Sequence, residues 1–292
     1  MEHPTHADVL DRMHDDLVLR GMSPHTLASY LTHARLFLAW AARPVDALGP
    51  DDIRRFLAAL ITEHQLAPAT VNVYSAAIRF LFAVTLNRSL NYLQIPRQKL
   101  PQALPVVLRR SDVAAILGHC VTPKHRAMLT LIYGSGLRVS EAAAMKVAHI
   151  DSATMRVLVV GGKGHKDRYT VLSQTALGAL RDYWRACRPH HPDGWLFPGP
   201  GPSGHITTAG IRFAFDQAVQ RAQIPQAMSI HTLRHCFATH VLEDGATLLQ
   251  IKELLGHRSI PSTTVYLHLA NLTAGLQSPL DAFSTQVGAH GG

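Results

Sequence analysis

Cysteine is scarce here: Cys120, Cys187 and Cys236 are far apart, odd in number and form no CxxC pair. That excludes a disulfide framework and the common thiolate metal clusters, and it suits a reducing cytosol. No run of about 18 uncharged apolar residues occurs, so no membrane-spanning helix is expected. The opening MEHPTHADVL has neither the basic start nor the apolar stretch of a secretion signal, and the expected location is cytoplasmic. Charged residues are few, at 16%, but 47% hydrophobic content is ample for an ordered core. Lysine is absent from the first 95 residues, which hold eight arginines against nine acidic residues. The remainder holds 20 basic and 11 acidic residues. A basic half joined to a neutral half implies a polyanion held mainly by the second.

What is present divides at a proline-rich stretch. The first 90 residues carry four helical stripes at i, i+3, i+4 spacing. The clearest runs through Leu27, Tyr30, Leu31, Ala34, Phe37, Leu38 and Ala41, with Ser23 as cap and Pro24 in the first turn. Others run through Ile53, Phe56, Leu57, Leu60 and Ile61, through Val71, Tyr74, Ile78, Leu81 and Phe82, and through Val9, Met13 and Leu17. Then LQIPRQKLPQALP places Pro96, Pro101 and Pro105 in ten residues, which blocks helix and favours an extended connector. Beyond it, helices are expected at 111–119 (capped by Ser111), 124–133, 139–147, 174–187, 207–223, 231–242, 247–255, 262–269 and 272–284. TMRVLVV and RYTVL flank GGKGHKD and read as a β-hairpin.

Four stretches of the second half carry chemistry. In HTLRHCFATH, His231 and His235 have the i, i+4 spacing of a zinc helix, but HExxH needs a glutamate where Thr232 stands. Arg234 would repel a dication, so no metal is expected. His231 and Arg234 share one face, where a guanidinium fork and an imidazole suit a phosphate. In IYGSGLRVSEAAAMK, Arg138 opens a helix against its positive end, and Glu141 stands three residues on to orient it. In GGKGHKDRYTVL, Lys163 sits at a glycine-rich tip, followed by Lys166 and Arg168. In LLGHRSIPSTTVYLHL, Gly256 closes a helix, His257 follows it and Tyr266 lies nine residues further on. Each stretch alone reads equally as an ordinary packed or solvated segment.

In this order they resemble the tyrosine site-specific recombinases, the Xer-type and phage integrase family. The family's arginine, hairpin lysine, HxxR, H-or-W and tyrosine correspond to Arg138, Lys163, His231, Arg234, His257 and Tyr266, with Lys166 a rival to Lys163. LRGMSPHTLASYLTHARLFLAW looks like the family's N-terminal core-binding domain, and ALPVVLRRSDVAAIL like the entry to its catalytic domain. Pro261 and Val265 replace commoner choices before the tyrosine.

The resemblance implies a mainly α fold with a small β-sheet or hairpin in the catalytic domain, its two domains forming a C-shaped clamp around DNA. The implied domains are a SAM-like helical domain over 1–93, a linker over 94–105 and a catalytic domain over 106–292. It implies strand exchange through a covalent 3′-phosphotyrosine, with no cofactor, metal or ATP. Tyr266 would be the nucleophile, Lys163 the general acid and His231 a phosphate ligand and proton acceptor. Arg138, Arg234 and His257 would hold the phosphate, with Glu141 supporting Arg138. Lys166, Arg168 and His235 are candidate phosphate contacts, His235 equally a structural residue. The implied partners are a double-stranded DNA recombination site and three further copies, joined by exchanging the helix at 272–284. A paralogous recombinase is an optional partner, and the expected place is the nucleoid. Two alternatives stay open: a type IB topoisomerase and a DNA-binding regulator without catalysis.

Overall fold

The computed structural model describes residues 5–90, 95, 97–100, 105–161, 167–200, 203–225, 228–257 and 259–270. It divides into two compact units, Met1–Gln102 and Ala103–Gly292. No described helix is long and apolar enough to cross a membrane.

Unit one is helical: α1 (His6–Leu19), α2 (Pro24–Ala41), α3 (Pro50–Thr62) and α4 (Pro68–Phe80), which runs on as a π-helical turn, Leu81–Thr85. Three of these helices start on proline, whose missing N–H is not needed at a first position. The Ser23 hydroxyl accepts the Thr26 amide at 3.2 Å, as the sequence pattern predicts for a cap. The expected stripes meet in one core around Phe37, Phe56, Ile78, Leu81 and Phe82. Ile61 departs from its stripe and is exposed, because the buried face of α3 ends at Leu60. Ile95 and Gln98, which the sequence assigns to the connector, dock on α4. Ile95 is buried, Gln98 exchanges two hydrogen bonds with the Asn72 amide, and Arg79 donates to the Ile95 carbonyl.

Unit two is built round α6 (Pro123–Ser135), which packs on α8 (Gln174–Cys187), α9 (Thr208–Arg221) and α10 (His231–Glu243). The remaining helices are α5 (Arg110–Gly118), α7 (Val139–Ala143), α11 (Leu248–Leu255) and α12 (Pro261–Thr264). A three-stranded antiparallel sheet joins β1 (Ile150–Asp151), β2 (Arg156–Val159) and β3 (Arg168–Val171), so the hairpin gains a short third strand. Leu158 faces Tyr169 and Val159 faces Arg168 across it. Val157, Val159 and Thr170 point inward, and the Thr170 hydroxyl donates to the Ser135 carbonyl at 2.9 Å, fixing the sheet to the end of α6.

Three local expectations change. Arg109, not Ser111, caps α5, and Ser111 lies within its first turn. The helix expected over 139–147 stops at Ala143, because Lys146 turns away to bridge Trp195 and Val147 donates to the Gly194 carbonyl. The segment at 262–269 is one α-turn followed by a 3₁₀ turn, Val265–His268. The helix expected at 272–284 lies outside the described residues.

Candidate active site

Helix ends create the site. α6 closes on Gly136 at φ +62°, a left-handed position where a Cβ would lie 2.4 Å from the Phe237 ring. The chain then enters α7 with Arg138 as the residue before the helix, its backbone extended and its side chain free to turn inward. Glu141, at the third position of α7, accepts the Arg138 amide at 2.8 Å and the Arg138 guanidinium at 2.7 Å. The carboxylate thus offsets both the orphaned amide and the misplaced cation.

The same carboxylate meets two further arginines. Arg168, opening β3, donates to both Glu141 oxygens at 2.8 Å and through Nε to the Leu254 carbonyl at 2.8 Å. Arg234 approaches to 3.7 Å. Burial alone would raise the Glu141 pKa. The Arg168 bonds and charge, the Arg138 amide and the Arg234 charge outweigh it and bring it to about 2.

Arg234 is buried without a close carboxylate of its own. It spans the C-terminal ends of two helices, donating at 2.6 Å to Gly136 O and at 2.6 Å to Leu255 O. Those carbonyls lack intrahelical partners and carry the negative end of the helix dipole, which suits a buried cation. Burial and the neighbouring Arg138 push its pKa down to about 10, which leaves it charged at neutral pH.

The imidazoles separate into two kinds. His240, at the far end of α10, lies between Tyr133 Oη at 2.9 Å and the Leu108 carbonyl at 3.0 Å. Since a carbonyl only accepts, Nε2 carries the proton and Nδ1 accepts from the tyrosine. That histidine pins the chain entering unit two. His231, His235 and His257 instead face the arginines. All three have pKa values lowered by burial and by neighbouring charge, His257 to about 4 under Arg234, Arg138 and Arg168. They are neutral at pH 7. Arg212 adds to the field at His231.

Tyr266 completes the group. Its hydroxyl lies 3.3 Å from His235 Nδ1, and its ring stacks on His257 with centroids 6.3 Å apart. His257 Nδ1 is 2.9 Å from the Thr263 hydroxyl. Only 2% of Tyr266 is exposed, among Phe237, Ile251 and Leu255. Burial raises its pKa, while Arg234 and Arg138 oppose the rise.

Of the residues singled out from sequence, Arg138, Glu141, His231, His235, Arg234, His257 and Tyr266 therefore come together. Arg168, a candidate phosphate contact from sequence, turns inward: three of its five N–H donors go to Glu141 and to the Leu254 carbonyl. Lys163 and Lys166 lie outside the described residues. The strands flanking them end beside the cluster, where the Gly161 amide donates to Asp167 Oδ1 at 2.9 Å. Sequence reasoning missed Thr263 and Arg212, which no motif distinguishes from ordinary surface or core residues. Among the described residues no group of three His, Cys, Asp or Glu is placed to hold a metal ion.

Comparison with known proteins identifies the family. Residues 107–272 match the model of the phage integrase family, and residues 9–92 match its N-terminal SAM-like domain. A putative integrase/recombinase, y4qK, of Sinorhizobium fredii is 41% identical over 272 residues, covering 92% of this chain and 87% of its own length. The tyrosine recombinase XerD of Rhizobium meliloti is 34% identical over 270 residues, covering 86% of each chain. In fold, the chain resembles the XerH site-specific recombinase bound to its difH substrate. The TM-score is 0.71 at 19% identity, over 92% of this chain and 83% of that one. The chain belongs to the phage integrase family and is a tyrosine site-specific recombinase, a DNA breaking and rejoining enzyme.

Proposed function

We propose that the chain exchanges DNA strands by attack of the Tyr266 oxygen on a backbone phosphorus. The phenolic proton passes to His231, the P–O bond to the 5′ oxygen breaks, and the 3′ phosphate stays on the tyrosine. Lys163 supplies the proton for the leaving 5′ oxygen. Energy is conserved in the phosphotyrosine, so rejoining needs no ATP. The charge that builds on the phosphorane falls to Arg138 and Arg234, with neutral His231 and His257 as hydrogen-bond partners, and this scheme calls on no metal ion. One observation carries the reading: a phenol held by His235 and His257 within the field of Arg234 and Arg138.

Tyr266 is buried on the 3₁₀ turn Val265–His268, which packs on α10 and α12, so attack follows a local displacement of that short turn. His235 would hold the hydroxyl until then rather than bind phosphate. The basic second unit would grip backbone phosphates while the first closes over the opposite face of the duplex as a C-shaped clamp. The assembly would be a homotetramer on two DNA sites, exchanging the segment 272–284 expected from sequence to be helical, with a paralogous recombinase as an alternative subunit.

A nicked suicide DNA substrate tests the chemistry. Wild-type chain should form a covalent adduct mapping to Tyr266, and Tyr266→Phe should bind without forming one. An adduct on the Tyr266→Phe chain would refute the assignment. Transfer of the strand to a second site separates recombination from relaxation by a topoisomerase.

A further inference from the structure

Three guanidinium groups surround one carboxylate, and they do not share it equally. Arg168 takes the fork-to-fork position, with one bond to each Glu141 oxygen at 2.8 Å. Arg138 is left one side-chain bond, to Oε1, and Arg234 none shorter than 3.7 Å. A carboxylate binds a guanidinium most strongly through two parallel bonds. The arginine holding that face therefore takes up most of the carboxylate's field, and the field of the other two is offset less. Arg168 is well placed to hold it: its Nε is fixed on the Leu254 carbonyl, and Gly256, at φ +64°, leaves room where a Cβ would lie 2.9 Å from Arg168 Cδ.

We propose that Arg168 is a positioning residue that occupies the two-pronged face of Glu141 so that Arg138 and Arg234 keep their charge for the scissile phosphate. With the histidines neutral, three arginines and one carboxylate give the cluster a net charge of +2. A phosphodiester brings one negative charge, and its five-coordinate transition state brings a second as the phenolic proton turns His231 cationic. The balance thus favours the transition state over the bound ground state. Without Arg168 the cluster falls to +1, and Glu141 is free to turn its two-pronged face on Arg138. The inference rests on the phosphate chemistry proposed above.

The test is charge-balanced. Arg168→Gln lowers the cluster to +1, and Arg168→Gln with Glu141→Gln restores +2 through an uncharged pair. Single-turnover cleavage of the suicide substrate is measured with DNA-saturated full-length protein, well below each variant's melting temperature. DNA affinity is measured by fluorescence anisotropy. Arg168→Gln should cleave about 100-fold more slowly, the scale of losing one preorganised donor, here Arg138 drawn onto the freed face of Glu141, with affinity changed less than about threefold. The double variant should recover to within about tenfold of wild type, which a purely architectural role does not predict for folded, saturated protein. Three results overturn the proposal: a folded Arg168→Gln chain cleaving at the wild-type rate, a double variant that binds but does not recover, or a double variant that fails to fold. Should Arg168→Gln itself fail to fold, the double variant alone decides. Wild-type chain giving no Tyr266 adduct would instead sink the phosphotyrosine reading, and so the two failures are distinguishable.

Discussion

Acid should weaken unit two through His257. Burial among three arginines pushes this histidine down to about 4 from an ordinary 6.5. As the pH falls below 6.5 the unfolded chain binds a proton there that the folded chain refuses, and stability drops with pH. The loss begins near the unfolded pKa, grows until the folded one and is absent above about pH 7. Between pH 7.5 and pH 5 the two binding polynomials differ by about 2 kcal/mol for this group alone. In a unit of this size that is a melting temperature lower by about 4–8 °C. The assay is calorimetric unfolding of full-length wild type and His257→Gln at both pH values, following the transition of unit two. Glutamine keeps a hydrogen-bonding partner for Thr263 and does not titrate. His231, His235 and His240 are shifted the same way and remain in both chains, so the difference between the two slopes isolates His257. Equal slopes would refute the reasoning, because the arginine cluster would then not press on that ring.

Two further outcomes follow from the same geometry. Gly136→Ala should destabilise unit two by about 3 kcal/mol, from a left-handed alanine plus a Cβ driven into Phe237. Gly194→Ala, at φ +69° but facing open space, should cost only about 1–2 kcal/mol, and equal melting shifts would remove the packing argument. DNA binding should weaken steeply with salt, as counterions released by the basic second unit return. A slope of log K against log salt near zero, rather than about −5 to −9 for six to ten phosphates, would count against the clamp.

The sequence by itself determined the helices and the chemistry on offer. Periodicity in PHTLASYLTHARLFLAWA fixes which face of α2 is buried, because apolar spacing is a local property of the chain. Glycines after α6 and α11 fix where those helices stop, since only they reach φ near +60° without strain. Arg138 and Glu141 are three residues apart, so their pairing was legible too. Tertiary structure decided the partners of groups far apart in sequence. Arg168 looked like a hairpin cation ready for DNA, and only the packing of β3 against α11 turns it inward onto Glu141. Arg234 reads from its spacing as a candidate phosphate ligand, but nothing local reveals that its charge rests on the carbonyls of two helix ends 98 and 21 residues away. His235 and His240 stand five apart on one helix, yet one meets the Tyr266 hydroxyl and the other an entering strand of backbone. Spacing along a chain sets which side chains share a face, while the field each one feels is set by whatever the rest of the fold brings against it.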